Sequence, residues 1–425
     1  MQHPPTFAEA FRFWLKLGFI SFGGPAGQIA IMHEELVARR RWIGEERFLH
    51  AMNYCMLLPG PEAQQLAIYI GWLLHGVPGG LVAGGLFVLP SALILWALSW
   101  AYVSFGALAW MVSILWGLKA AVLAIVAAAA LRIGGKVLKN SAMWALAVMA
   151  FAALFFAKMP FPFVVLGAGL IGFFGGKLRP ELFAVLKSHG ATTAAAKAVC
   201  PVRAAFARAV TILTLGLILW WAPVLAMGAW QGWSGTLFRE GVFFSKAAVV
   251  TFGGAYAVLP YVSQQAVVHH GWLAPSQMLD GLGLAETTPG PLIMVLQFVG
   301  FLGAWNHPGN LAPLTAATLG AAITTWSTFV PCFIWIFLGA PSVERLRENA
   351  LITAALSAIT AAVVGVIVNL AVWFGWHVFH PADAQFDWAA VCVALIAFIG
   401  LVRWKWPVAF VVLGGGLAGW LLAAR

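Results

Sequence analysis

Charge is what this sequence has least of. Asp, Glu, Lys and Arg together supply 9% of the 425 residues, against 62% hydrophobic ones. A soluble chain devotes roughly a quarter of its residues to charge, so a soluble globular domain is excluded. Cysteine is as scarce: Cys55, Cys200, Cys332 and Cys392 follow no metal-ligand spacing and no disulfide framework, and are expected to be packing residues. The chain also lacks HExxH, GxSxG and any His/Cys metal spacing. No catalytic nucleophile–base pair is indicated, and no metal or cofactor is expected. A cleavable leader is not expected either, because Glu9, Arg12 and Lys16 interrupt the first apolar stretch and no small-residue cleavage site follows.

What the sequence has in quantity is long apolar runs. Leu81–Tyr102, Ala107–Leu131, Met143–Ala157, Phe206–Trp230 and Leu351–Trp373 are of the order a bilayer needs, about 20 residues. Mean hydropathy is +0.91. The 45 glycines and 22 tryptophans suit close helix packing and interfacial anchoring. The class expected is an all-α polytopic membrane protein. A net charge of +10 would suggest nucleic acid in a soluble protein. Here the lipid bilayer is the partner, nucleic acid is not, and the positions of the charges carry the information.

The chain contains itself twice. At an offset of 230, Phe13, Lys16, Ser21, Phe22, Gly23, Gly24, Trp42, Pro59, Gly60 and Pro61 coincide with Phe243, Lys246, Thr251, Phe252, Gly253, Gly254, Trp272, Pro289, Gly290 and Pro291. At 241, Pro90 meets Pro331, and Leu118–Val122 meets Ile359–Val363. At 247, Lys158, Pro160 and Val164–Gly167 meet Lys405, Pro407 and Val411–Gly414. An ordered series of this kind marks an internal duplication. The organisation expected is a first repeat over 1–176, a cytoplasmic linker over 177–205, a linker transmembrane helix over 206–230, and a second repeat over 231–425. Each repeat holds an even number of crossings, so the single linker span turns the second repeat upside down. Inverted repeats of this kind build many secondary transporters.

Both repeats are interrupted at the same places. Gly23-Gly24-Pro25 and Gly253-Gly254 break the first apolar segment of each repeat, and Pro59-Gly60-Pro61 and Pro289-Gly290-Pro291 break the second. Such breaks are tolerated at membrane depth only where protein or a wet cavity covers them. If segments 7–38, 45–75, 236–268 and 275–303 are re-entrant hairpins, only Lys158, Arg239 and Arg425 fall on the outer side, with Arg12, Lys16, Lys119 and Lys246 inside apolar segments and the other Lys and Arg cytoplasmic. If they are full spans, Arg39–Arg41 and Arg47 move outside as well. The excess of Lys and Arg on cytoplasmic loops favours hairpins, with the N-terminus cytoplasmic and the C-terminus periplasmic. Each helix restart presents unpaired N–H groups and the positive end of a helix dipole, which bind anions. Four restarts converging from inverted halves suit a small oxyanion.

Around these breaks stand the candidate binding residues. Lys16 and Lys246 precede their Gly-Gly pairs by the same interval, and charges inside a membrane are usually functional or paired; the alternative is snorkelling to the surface. Lys119 has no charged counterpart, since Thr360 holds its position in the second repeat. The hydroxyls of Ser21 and Thr251 either donate to a substrate or bond back to their own helices. Glu62 follows the first Pro-Gly-Pro, Glu286 precedes the second, and Thr288 adjoins it. A carboxylate at a helix start either stabilises the dipole or couples protons. His33-Glu34-Glu35 beside Arg39–Arg41, and His269-His270, are expected at the membrane surface.

These same residues resemble a known family. The F-G-G-P segment with its "RRRW" loop (Arg39–Trp42), "LPGPEAQQLAIYIG" (Leu58–Gly71), "FGGAYAVLP" (Phe252–Pro260) and "TPGPL" (Thr288–Leu292) are similar to the chromate ion transporter family in its long two-half form. The resemblance runs from Phe11 to Gly419. It implies efflux of chromate from the bacterial cytoplasm across the inner membrane and chromate resistance, with sulfate as a chemically similar dianion. It carries the family motif to Phe22, Gly23, Gly24, Pro25, Pro59, Gly60, Pro61, Glu62, Phe252, Gly253, Gly254, Pro289, Gly290 and Pro291. A homodimer is an open assembly. Two other classes stand against this reading: a lipid-phosphate flippase, which would need a lateral opening for an acyl or prenyl tail, and an intramembrane enzyme, for which no motif is found.

Overall fold

Thr6 and Glu9 start the first helix by capping each other's backbone amides. The Thr6 amide donates to Glu9 Oε2 at 2.8 Å and the Glu9 amide donates to Thr6 Oγ1 at 3.3 Å, a capping box. The helix it opens, α1 (Phe7–Ile20), buries Ala10, Phe13, Trp14 and Leu17 along one stripe. The computed structural model describes residues 5–22, 24–56, 58–183, 202–252, 254–340, 350–381 and 386–423. Gly23, Gly253, Lys187, Lys197, Cys200, Arg345, Arg347 and Arg425 lie outside the described residues.

After α1 come α2 (Gly24–His33, continued by a π turn Glu34–Arg39), α3 (Glu45–Cys55) and α4 (Glu62–Phe105). The end of the π turn returns to the side of α1: the Arg40 guanidinium lies 5.1 Å over the Phe13 ring, and Trp42 packs 5.4 Å from that ring. The first broken segment is therefore a hairpin. The chain of α4 reverses at His75 and Gly76, whose dihedrals are not helical. Gly71 and Gly79 then pack backbone to backbone, so a methyl on either would sit 2.4 or 2.3 Å from the other's carbonyl oxygen. In one straight helix these residues would be roughly 12 Å apart. Glu62–Leu74 thus forms the return arm of a second hairpin, and Val77–Phe105 is a separate span. The rings of Phe7 and His75 meet at 5.5 Å, which brings the start of the first hairpin and the end of the second to one place.

The second repeat follows the same plan. It comprises α10 (Thr236–Val250), α11 (Ala255–Ser263, continued by a π turn Gln264–His269), α12 (Pro275–Thr287), α13 (Val295–Asn306) and α14 (Pro313–Gly339). Its hairpin ends also gather: Thr236 Oγ1 donates to the His307 carbonyl at 3.0 Å, and Asn306 Nδ2 to the Trp272 carbonyl at 2.8 Å. Those ends lie at the far end of the span Val77–Phe105, where Tyr102, Val103 and Gly106 share a small cavity with Gln277, Trp305 and Asn306. The two sets of hairpins thus open at opposite ends of one membrane-spanning helix.

The remaining helices are α5 (Ala109–Val137), α6 (Ser141–Phe155), α7 (Phe161–Leu178), α8 (Pro180–Phe183), α9 (Val202–Gln231), α15 (Ala350–Phe379), α16 (Trp388–Arg403) and α17 (Val408–Ala423). They interlock the halves. The first repeat's α5 packs against α16 and α17, while α15 packs against α6 and α7. Small residues permit this: a methyl on Gly117 would lie 1.9 Å from the Gly415 carbonyl oxygen, and one on Gly365 would lie 2.0 Å from that of Ala147. The linker span α9 stays peripheral, tied by Trp326 Nε1 donating to the Leu219 carbonyl at 2.9 Å. Among the described residues, six helices are long and apolar enough to cross a membrane. Leu166, Phe163, Ile396, Phe410 and Leu413 are exposed on the outer surface, as lipid-facing residues should be. The charge cluster expected at the surface is present, with Arg39 paired to Glu34 and Glu35, and Arg40 to Glu35.

The hairpin arrangement with Lys and Arg on cytoplasmic loops predicts opposite exposure of two turns. With single cysteines introduced at Arg40 and His269 in intact cells, an impermeant maleimide should label position 269 directly. Position 40 should label only after permeabilisation, and labelling of 40 from outside contradicts this topology.

Candidate functional site: a junction of four helix starts

The four breaks meet. The Gly60 amide donates to the Thr251 carbonyl at 2.7 Å, and the Gly290 amide donates to the Ser21 carbonyl at 2.7 Å. Each Pro-Gly-Pro of one repeat is thus hydrogen-bonded to the residue that ends the first hairpin arm of the other. Gln28 reinforces one of the two bonds, its Nε2 donating to the Ser21 carbonyl at 3.3 Å and to the Gly290 carbonyl. Backbone conformation makes this crossing possible: Gly24, Gly60, Gly254 and Gly290 have φ of +67°, +120°, +89° and +101°, which glycine alone adopts freely. At Gly60 an added methyl would also strike Cys332 Sγ at 2.9 Å, and at Gly290 the Ser91 Cβ at 2.6 Å.

From this junction α2, α4, α11 and the turn leading into α13 set out. Pro61, Gly254 and Pro291 occupy the cap positions and none supplies a side-chain cap, so the first N–H groups of those helices have no side-chain acceptor there. The prolines at Pro61 and Pro291 precede the first helical residue, whereas Pro25 lies just inside α2. Against the junction lies a cavity of about 540 Å³, bounded by Gly24, Tyr256, Glu286, Arg132, Lys405 and Trp406, with apolar walls from α5 and α16. Tyr256 Oη donates to Glu286 Oε1 at 2.7 Å. Arg132 shares this lining with Glu286. Glu62 itself reaches across to the other repeat: a methyl on Gly254 would lie 3.9 Å from its Oε1.

The residues singled out in the sequence distribute as follows. Gly24, Pro59, Gly60, Pro61, Glu62, Thr251, Gly254, Thr288, Pro289, Gly290 and Pro291 are at or beside the junction, and Gly23 and Gly253 lie outside the described residues. Ser21 and Thr251 are fully buried, and their hydroxyls bond back to the Leu17 and Ala247 carbonyls at 2.6 Å. Thr288 does likewise to Ala285 at 2.8 Å. Their backbone carbonyls, not their hydroxyls, enter the junction in the case of Ser21 and Thr251. Phe22 is exposed and Phe252 half-buried. Lys16 and Lys246 sit on exposed faces of α1 and α10, and neither is ion-paired among the described residues. Lys119 is drawn aside by an acid of the other repeat: its Nζ is 3.3 Å from Asp280 Oδ1, and Tyr102 Oη donates to Asp280 at 3.0 Å. Sequence reasoning missed Tyr256, Gln28 and Asp280, and saw Arg132 and Lys405 only as topology markers. Tyr256 follows the second Gly-Gly by two residues, where the first repeat has Ala26, and that departure from the duplication was the available signal.

An all-α polytopic membrane protein whose broken helices converge on a charged cavity is the class that fold and junction define. The chain belongs to the chromate transporter family: the family's model matches residues 8–173 and 238–420, one block per repeat. It is 32% identical over 426 residues to the chromate transport protein of Pseudomonas aeruginosa, covering 99% of this chain and 93% of that one. To the chromate transport protein of Cupriavidus metallidurans it is 31% identical over 365 residues, covering 86% and 81%. A probable chromate transport protein of Synechococcus elongatus is 29% identical over 405 residues, covering 95% and 91%. No solved structure matches the chain.

The crossing bonds predict a local cost for added side chains. Gly60→Ala and Gly290→Ala should each destabilise the protein by about 1–3 kcal/mol through strained backbone. Thermal unfolding in detergent is the measurement. Gly85→Ala is the control, since a methyl there meets nothing within 4 Å, and its melting temperature should stay at the parental value.

Proposed function

We infer that this protein is a secondary transporter that exports chromate, or a similar tetrahedral dianion such as sulfate, from the cytoplasm across the inner membrane, and so confers chromate resistance. The observation that carries the reading is the reciprocal pair Gly60–Thr251 and Gly290–Ser21, which brings helix starts from both repeats to one point. Membership of a chromate transporter family supplies the substrate class. The two repeats are read as inverted, which the opposite placement of their hairpin ends along Val77–Phe105 supports.

The dianion sits where the N–H groups of the helix starts face the cavity. Arg132 and Lys405 line its way in, and the same topology puts both toward the cytoplasm. Lys16 and Lys246 act from a distance. Each lies five residues before its break, roughly 8 Å along the helix, where a pair of unit charges interacts by about 2 kcal/mol at an effective dielectric of 20. Export of a dianion is driven by an inside-negative potential, at about 2.3 kcal/mol per charge per 100 mV, so a coupling ion is not required.

Everted membrane vesicles test this directly. Vesicles holding the protein should take up chromate when the lumen is made positive, and vesicles lacking it should not; excess sulfate should compete. Lys16→Ala and Lys246→Ala should each reduce uptake about tenfold or more at matched protein levels. Parental uptake by both variants would show that the lysines only anchor their helices at the membrane surface.

A further inference from the structure

The binding place just described is already furnished with carboxyl groups. Glu62, from the first repeat, holds its carboxylate beside Gly254, the start of α11 in the second repeat. Glu286, from the second repeat, shares the cavity with Gly24, the start of α2 in the first. Each repeat thus presents one carboxylate to the chain break of the other. The duplication does not demand this: Leu292 stands at the position of Glu62, and Met56 at that of Glu286. The two acids were placed independently and reach the same kind of seat.

Around Glu62 the ionisable neighbours are Lys136 of α5, Cys55 of α3 and Cys332 of α14. Around Glu286 they are Arg132 of α5, Tyr256 of α11 and Lys405 of the turn after α16. Without side-chain caps, the helix starts present the positive ends of their dipoles, and the exposed Arg132, Lys136 and Lys405 add positive charge from the accessible side. The carboxylates supply the missing negative charge, from the positions where a substrate oxyanion would supply it.

Resting on the proposed function above, we propose that Glu62 and Glu286 are tethered rivals of the substrate: they occupy the oxyanion's seats at the helix starts when the site is empty and are displaced or neutralised when the dianion binds. The rivalry keeps affinity moderate, which release on the far side requires. It also selects for a doubly charged ligand, because a dianion replaces both carboxylate charges and a monoanion only one. Tyr256 is the positioning residue that holds Glu286 at its seat through the 2.7 Å bond.

Removal of a rival raises affinity, whereas structural damage lowers it, so the sign of the effect is the test. Chromate binding is measured on the purified full chain in nanodiscs by equilibrium dialysis, and initial uptake rates are measured in everted vesicles. Glu62→Gln and Glu286→Gln should each tighten chromate binding several-fold, lower the KM for uptake, and lower the turnover because release slows. Tyr256→Phe should loosen Glu286 and give the same sign with a smaller effect. Because dialysis reads binding without turnover, a variant that no longer transports is still decided. Unchanged or weaker binding in both Gln variants, with the chain monodisperse, overturns the rivalry. If one variant does not fold, the other decides. Absence of chromate uptake and binding by the parent overturns the proposed function itself, a result separate from the variant comparison.

Discussion

Everything at the centre of this protein depends on two backbone hydrogen bonds. Gly60 to Thr251 and Gly290 to Ser21 each join a helix restart of one repeat to a helix end of the other. A break in a transmembrane helix leaves several peptide groups without intrahelical partners, and each unsatisfied group in an apolar medium costs several kcal/mol. Each repeat satisfies part of its own breaks, as Gln65 Nε2 does for the Pro59 carbonyl at 2.7 Å, but the Gly60 and Gly290 amides bond to the other repeat. For these two amides the second copy supplies the acceptor. The crossing of α5 onto α16 and α17, and of α15 onto α6 and α7, then fixes the two repeats at the separation these bonds need.

The backbone keeps the symmetry of the duplication and the side chains give it up. Positive-φ glycines, hairpin turns and back-bonded hydroxyls at Ser21 and Thr251 repeat faithfully in both halves. Glu62, Glu286, Tyr256, Gln28 and Lys119 do not. The cavity lined by Arg132, Lys405 and Glu286 is on one side of the junction. Lys119 and Asp280 form an ion pair close to the other end, beside Tyr102.

Much of this frame was legible in the sequence because it is written in residues with little conformational choice. Gly-Gly and Pro-Gly-Pro recurring at a fixed offset located all four breaks, whereas the single prolines Pro90, Pro223 and Pro331 lie inside continuous helices. The chain reversal expected of a hairpin is present in the 5.1 Å contact of Arg40 with Phe13, while the membrane side of Arg39–Arg41 belongs to the proposed topology. Reversal inside the apolar run around His75 and Gly76 was visible only as the end of segment 45–75. The partners of charged groups were not legible. Asp280 lies far from Lys119 in sequence, and a pairing between repeats leaves no local pattern. Tyr256 reads as an ordinary aromatic until Glu286 is found against it. Periodicity also does not say which face of α1 carries Lys16 toward the outer surface.

The central claim is that the oxyanion binds at the junction, held by helix starts of both repeats. Diffraction at the chromium absorption edge from crystals grown with chromate measures this most directly. The account predicts an anomalous peak between Gly24 and Gly254, within hydrogen-bonding distance of N–H groups from both repeats. A peak confined to one repeat, or lying on the exposed faces beside Lys16 or Lys246 with none at the junction, would contradict it.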